Sequence, residues 1–76
     1  MWQEINNKLV KEFEFKDFKV AFAFMTKVAT IAEELKHHPE WTNIYNKVTI
    51  KLSTHDAGDI VTDKDKELAK RIDEII

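Results

Sequence analysis

The segment DFKVAFAFMTKVATIAEELK, residues 17–36, decides the architecture of this chain because it is long, amphipathic and free of glycine and proline. Asp17 is a good N-cap residue, and we expect a helix over Phe18–Lys36. Apolar side chains recur along it at helical spacing: Phe18, Phe22, Met25, Ala29 and Ala32. Further apolar residues widen this arc to roughly half of the circumference, more than the ~100° that one packing face needs: Ala21, Val28, Leu35, Phe24 and Ile31. The helix is therefore either sunk deeply into its own core or also contacts another subunit, and we favour the second because one small sheet would not cover so wide an arc.

Two strands are expected before this helix, over Trp2–Ile5 and Leu9–Phe15. They meet at Asn6-Asn7, and asparagine tolerates the positive φ that a two-residue hairpin turn requires. In the second strand, the side chains on one face are mostly apolar and those on the other are mostly polar. This alternation predicts a half-buried strand.

Two further strands are expected after the helix. Asn43–Tyr45 can form a short strand, and Asn46-Lys47 is a plausible turn. Val48–Leu52 then alternates strictly between apolar and polar residues, which is the cleanest strand pattern in the chain. The four strands are therefore predicted to pair as two hairpins.

A capping box marks the start of a second helix. After a loop over Asp56–Val61, Thr62 occupies the N-cap position and Asp65 the N3 position, where Glu or Gln is more usual. The resulting β-β-α-β-β-α order predicts an α+β fold, a two-layer domain in which both helices pack on one face of an antiparallel four-stranded sheet. We expect residues 1–76 to form one such domain.

The composition narrows the functional class. The 76 residues include no cysteine, which excludes disulfides and thiolate metal sites. The net charge of −2, with both signs mixed, lacks the basic stripe of nucleic-acid-binding proteins, so we expect no direct nucleic-acid partner. No segment is typical of a signal peptide or a membrane span, which favours a cytoplasmic protein. Because so small a core is marginal, we expect a homodimer or homotetramer.

The three histidines of the chain are His37, His38 and His55, and they lie in two short segments. Histidine exchanges protons near pH 7 because its unperturbed pKa is about 6.5. Pro39 disfavours the helical conformation at the residue before it, so we expect the helix, whose apolar pattern runs to Lys36, to end no later than His38. Glu33 lies one helical turn before His37 and can orient its imidazole. We infer a proton-transfer site where the helix end and a strand end meet.

Each of these residues alone also has a plain structural explanation. A histidine at a helix C-terminus complements the helix dipole, Trp41 can belong to the core or an interface, and Asp65 can be only a capping acid. A zinc site is a second chemical option, but the adjacent His37 and His38 are an awkward ligand pair. A nucleophilic enzyme is disfavoured because Ser53 is the only serine. The joint occurrence of all three histidines at a helix end and a strand end favours acid/base chemistry without a metal.

Four motifs carry a family resemblance: Phe13-Glu14-Phe15-Lys16-Asp17-Phe18, Glu33-x-x-x-His37-His38-Pro39-Glu40-Trp41, Val48-x-Ile50-x-Leu52-x-Thr54-His55 and Thr62-x-x-Asp65-x-x-Leu68-Ala69. Together they closely resemble the pterin-4a-carbinolamine dehydratases, in family order through essentially the whole chain. The resemblance implies dehydration of 4a-hydroxytetrahydrobiopterin to quinonoid dihydropterin and water by histidine acid/base catalysis. This reaction recycles the pterin cofactor of aromatic amino acid hydroxylases, and it requires no metal or organic cofactor.

The resemblance also implies roles for individual residues. His37, His38 and His55 match the catalytic histidines, and Glu33 matches a supporting carboxylate. His38 and His55 are expected to take part most directly as general acid and general base. The sequence does not show which of the two is the acid. The residues expected to bind the pterin are His37, His38, Pro39, Trp41, Thr54, His55, Asp56, Ala57 and Asp65.

Three features depart from the family pattern. Family members usually begin with another helix before the Trp2 strand, some relatives carry an acid where this chain has Lys36, and the loop Asp56–Val61 lacks the common Gly-Leu-Thr pattern. The wide apolar arc also leaves a second function open. In that alternative the chain is a non-catalytic dimerisation, assembly or transcriptional cofactor that binds a protein partner through the long helix.

Overall fold

The computed structural model describes all residues 1–76 and contains four strands and two α-helices. In chain order these are β1 (Gln3–Ile5), β2 (Lys8–Glu14), α1 (Phe18–Leu35), β3 (Glu40–Ile44), β4 (Lys47–Leu52) and α2 (Asp63–Glu74). A short 3₁₀ turn, His55–Ala57, overlaps the start of the predicted loop before α2. The predicted element order and the α+β fold class are confirmed.

The strands form one antiparallel sheet in the order β1-β2-β4-β3. The central strands β2 and β4 pair in a register that sets Leu9 opposite Leu52 and Phe13 opposite Val48. Because side chains alternate along a strand, these residues face the same side of the sheet. On that side the sheet and both helices form one core: Phe13, Val48, Ile50, Leu52, Ala21, Phe24, Val28, Ile31, Leu68, Ala69 and Ile72. Both helices therefore cover a single face, as predicted.

Lys11 lies on the core-facing side of β2, and contacts with α2 satisfy its charge there. Its Nζ lies 2.9 Å from Asp73 Oδ1 and 5.0 Å from the centroid of the Phe13 ring. The indole Nε1 of Trp2 donates to the same carboxylate at 3.1 Å. These contacts attach the C-terminal end of α2 to the sheet.

The buried side of α1 differs from the predicted stripe. Its core residues are Ala21, Phe24, Val28, Ile31 and Ala32. The predicted stripe shares only Ala32 with this set, and the side chains of Phe18 and Phe22 are 49% and 55% exposed. The widened arc contained all five buried residues, but the choice of central stripe was wrong, because apolar residues occupy about half of the helix and periodicity alone did not distinguish the part that faces the sheet.

Helix α1 ends earlier than predicted, in a Schellman motif. Lys36 adopts the left-handed conformation, with φ 55°, and its amide donates to the carbonyl of Glu33. The amide of His37 donates to the carbonyl of Ala32 at 3.0 Å. The predicted range Phe18–Lys36 is therefore right to within one residue, but the turn at Lys36 ends the helix and Pro39 does not.

The first hairpin turn lies where it was predicted, whereas the second is shifted by one residue. Asn6 and Asn7 both have positive φ, 52° and 65°, as a two-residue primed turn requires. The second turn lies at Tyr45-Asn46, one residue earlier than predicted, because Lys47 already pairs with Ile44 in the sheet. Strand β3 therefore ends at Ile44 rather than Tyr45, but it is longer than predicted because it begins at Glu40 rather than Asn43.

The predicted capping box at the start of α2 is confirmed. The hydroxyl oxygen of Thr62 accepts from the amide of Lys64, and Oδ2 of Asp65 accepts from the amide of Thr62 at 2.8 Å. Neither α1 nor α2 combines the length and the apolar character needed to cross a membrane.

Candidate active site

A cavity of about 310 Å³ lies where the end of α1 meets the segment after β4. Polar and charged residues alone line it: Lys36, His37, His38, Ser53, Thr54, His55, Asp56 and Lys64. We call it the histidine cavity, because it brings together all three histidines of the chain. The meeting follows from the fold, since α1 packs against β4 and their C-terminal ends lie side by side.

One side of the histidine cavity rests on a buried cluster formed by His37, Thr54, Thr62 and Asp65. The Asp65 carboxylate is fully buried and accepts three hydrogen bonds. Its Oδ1 lies 2.5 Å from Nε2 of His37, and its Oδ2 accepts from the hydroxyl of Thr54 and the amide of Thr62, both at 2.8 Å. No buried side-chain polar atom in the molecule lacks a partner. The capping acid of α2 therefore also holds a histidine of the cavity.

The two threonines of the buried cluster fix the direction of its hydrogen bonds. Their hydroxyl oxygens lie 2.6 Å apart. Because the single hydroxyl proton of Thr54 is donated to Asp65, the hydroxyl of Thr62 donates to Thr54. The imidazole of His37, whose side chain is only 12% exposed, donates from Nε2 to the carboxylate. This arrangement fixes both the ring orientation and the tautomer of His37.

His38 lies beside His37 in sequence but on the open side of the cavity. Its side chain is 62% exposed, and Nε2 lies 3.1 Å from Oε2 of Glu33. The sequence suggested that Glu33 would orient His37. The structure pairs Glu33 with His38 instead, because the left-handed turn at Lys36 breaks the helical spacing.

His55 is the most exposed histidine of the cavity. It begins the 3₁₀ turn, three positions after β4 ends, and its Nδ1 lies 3.0 Å from Oδ1 of Asp59. Gly58, with φ 91°, lets the chain turn back so that Asp59 reaches the ring. The hydrogen bond to Asp59, the charge of Asp59 and the charge of Asp56 raise the pKa of His55. Its protonated form is thereby stabilised.

The other predicted pterin-binding residues are divided between the histidine cavity and its surroundings. Thr54 and Asp56 line it, whereas Ala57 lines an adjoining cavity of about 380 Å³ that shares both of those residues. Pro39 is half-buried in the connection between α1 and β3. Trp41 is not brought to the histidines, because it lines a separate small cavity beside the exposed side of α1.

Three lining residues were not identified as site residues from the sequence. Ser53 directly precedes the Thr54-His55 pair, and Lys64 directly precedes Asp65 in the first turn of α2. Lys36 was noted only as a departure from the family pattern. Adjacency to a motif residue was the available signal for all three. No three His, Asp or Glu side chains are grouped so that they could hold a metal ion.

Sequence comparison relates the chain to proteins of one family. It matches the family model described as pterin 4 alpha carbinolamine dehydratase over residues 1–75. A Prochlorococcus marinus protein named "Putative pterin-4-alpha-carbinolamine dehydratase" is 61% identical over 74 residues, which cover 97% of this chain and 76% of that protein. A protein of the same name from Solibacter usitatus is 54% identical over 72 residues, which cover 95% of this chain and 75% of that protein.

Two solved structures share the fold. A Brucella melitensis protein described as a transcriptional coactivator/pterin dehydratase superposes with a TM-score of 0.92 at 42% identity, covering 97% of this chain and 80% of its own. A pterin dehydratase-like protein described as a RuBisCO assembly factor in the alpha-carboxysome superposes with a TM-score of 0.76 at 25% identity, covering 97% and 84%. This fold therefore occurs in proteins described as dehydratases and in one described as an assembly factor.

Proposed function

The chain belongs to the pterin 4 alpha carbinolamine dehydratase family, as its motifs predicted, and we propose that it dehydrates a 4a-hydroxytetrahydropterin, the 4a-carbinolamine, to the quinonoid dihydropterin. The observation that carries the proposal is the convergence of His37, His38 and His55 on one cavity. In this role the protein recycles the pterin cofactor of aromatic amino acid hydroxylases.

The reaction needs two proton transfers. The C4a–O bond breaks and the leaving hydroxyl takes a proton to become water, while a ring N–H loses its proton and its electron pair forms the C=N bond. A general acid and a general base of near-neutral pKa assist these steps, and each such group typically contributes about 10²–10⁴-fold to the rate. We assign these two roles to His38 and His55, which both line the cavity.

The exposure of the side chains supports the choice of His38 and His55 over His37. The His38 and His55 side chains are 62% and 90% exposed on the cavity rim, so a substrate can reach their ring nitrogens. His37 already uses Nε2 on Asp65 and is only 12% exposed. We assign His37 to substrate positioning, with its orientation fixed by the buried cluster, and Glu33 to support of His38.

The test is a dehydratase assay with freshly generated 4a-hydroxytetrahydrobiopterin, measured against spontaneous dehydration. We expect His38→Ala to lower kcat by about 10²-fold, because one of the two proton transfers loses its catalyst. Its circular dichroism spectrum should match that of the wild type. A folded wild-type protein that does not exceed the spontaneous rate would overturn the proposal.

The proposal includes a homodimer or homotetramer that covers the exposed side of α1. Phe18 and Phe22 pack on each other with ring centroids 5.9 Å apart, yet both are about half exposed. Beside them a cavity of about 140 Å³ is bounded by Phe22, Met25 and Trp41. Exposed apolar clusters of this kind are typical of protein contacts. Sedimentation showing only a monomer at micromolar concentration would contradict this assignment, and Phe22→Glu should dissociate the oligomer.

The same exposed side of α1 supports a second candidate function, a non-catalytic assembly or transcriptional cofactor. In that case Phe22→Glu abolishes binding of a partner protein while His38→Ala leaves it intact. The two functions use different regions, the α1 surface and the histidine cavity, so the paired variants separate them. We favour catalysis because a scaffold has no use for three histidines on one cavity.

A further inference from the structure

The histidine cavity contains two lysines that the proposed reaction does not use. Lys36 and Lys64 reach it from the end of α1 and the first turn of α2. Neither forms an ion pair within the protein, whereas Lys8 and Lys11 pair with Glu40 and Asp73. Both ammonium groups are therefore available to a ligand in the cavity.

The acidic groups nearby form contacts other than with these two lysines. Glu33 and Glu34 line a neighbouring cavity with Lys36, but their carboxylates pair with His38 and Arg71. Asp56 is the one acid that lines the cavity, and its charge acts on His55, whose pKa it helps to raise. Asp65 is buried and accepts hydrogen bonds from three donors of the buried cluster. Asp63 lines the adjoining cavity, which Lys64 also lines, but the two side chains form no ion pair.

The lining also restricts which substituent a bound pterin can carry. Small-molecule sites are mostly lined by apolar side chains, but this cavity has none. An apolar substituent would therefore bury little apolar area here. An anionic group would gain charge-assisted hydrogen bonds from two ammonium groups, which are stronger than those between neutral partners.

We propose that Lys36 and Lys64 select a pterin with an anionic substituent, a carboxylate or a phosphate, whose oxygens they bind at the rim of the histidine cavity. This inference rests on the proposed function, because it assigns the substituent of the same substrate. The lysines act as positioning and specificity residues and take no part in the proton transfers.

The experiment measures dissociation constants by calorimetry for three stable pterins: pterin-6-carboxylate, 6-hydroxymethylpterin phosphate and the neutral 6-hydroxymethylpterin. We expect both anionic probes to bind the wild type roughly tenfold more tightly than the neutral one, since each exposed charge pair contributes a few-fold. In the double variant Lys36→Gln/Lys64→Gln this ratio should fall to about one. The matched control is Lys70→Gln, an exposed lysine of α2 outside the cavity, which should keep the wild-type ratio.

The salt dependence provides a readout that a merely structural role would not change. Raising the ionic strength to about 0.5 M should reduce the wild-type ratio by screening, and should leave the ratio of the double variant unchanged. Equal binding of neutral and anionic probes by the wild type would overturn the inference, even if the carbinolamine is turned over. Preferential anion binding without any turnover would support an anion site at Lys36 and Lys64 but overturn the proposed enzyme, and with it the assignment of that anion to a substrate. Tighter binding of one anionic probe alone would assign the substituent to that anion.

Discussion

His37 and His55 line the same cavity, yet their surroundings are opposite. His37 is 12% exposed and belongs to the buried cluster with Asp65, Thr54 and Thr62. The His55 side chain is 90% exposed and pairs with Asp59, four residues later in the chain. The buried cluster links α1, the end of β4 and α2, so its loss affects the fold. The exposed pairs, Glu33–His38 and His55–Asp59, are local, so their loss should affect chemistry and little else.

The largest effect is expected from a substitution at Asp65, the centre of the buried cluster. Asp65→Ala removes the acceptor of three hydrogen bonds and leaves the buried donors of His37, Thr54 and Thr62 unpaired, which should lower the free energy of unfolding by about 3 kcal/mol. Urea denaturation monitored by tryptophan fluorescence measures this loss in the free energy of unfolding. Asp63→Ala, in the same turn of α2 but exposed, is the control and should cost about 0.5 kcal/mol or less. Equal losses in the two variants would remove the distinction between the two regions.

A smaller effect is expected in the first exposed pair. Glu33→Gln keeps the shape of the side chain but removes the charge beside His38. Because Glu33 is 69% exposed, solvent screens this charge, and we expect kcat to fall by roughly fivefold or less with the free energy of unfolding nearly unchanged. Steady-state kinetics and urea denaturation check both. A loss as large as that of His38→Ala would show that Glu33 itself transfers a proton.

The smallest effect is a shift in pH dependence at the second exposed pair. Asp59 raises the pKa of His55, so Asp59→Asn should lower it, and NMR titration of the His55 ring measures the change directly. If His55 is the general acid, activity is lost as it deprotonates, and the alkaline limb of the pH profile moves to lower pH. If it is the general base, the acidic limb moves to lower pH instead. An unmoved NMR titration would show that the Asp59 contact does not persist in solution.

The fold was largely predictable because its signals are local. The strict alternation of Val48–Leu52, the Asn6-Asn7 turn and the Thr62–Asp65 capping box each depend on a few neighbouring residues. The buried arc of α1 was not predictable, because Phe22 and Phe24 are equally apolar and only the docked sheet distinguishes them.

The sequence predicted which histidines form the candidate site, but not which carboxylate contacts each of them. The two histidine segments are conspicuous in so short a chain, and the fold brings them to one cavity. The carboxylate beside each histidine depends on geometry that spacing does not reveal. A left-handed Lys36 redirects Glu33 from His37 to His38, and packing of α2 carries Asp65 to His37 across 28 positions.

The most direct test of the division between the two regions compares adjacent residues, Thr54 of the buried cluster and His55 of the exposed pair. Turnover and the free energy of unfolding are measured in parallel for Thr54→Val and His55→Ala. We predict that His55→Ala lowers kcat by about 10²-fold with stability unchanged within about 0.5 kcal/mol, and that Thr54→Val lowers stability by about 1–2 kcal/mol because Asp65 loses a buried donor. A fully active His55→Ala variant, or one as unstable as Thr54→Val, would contradict the account.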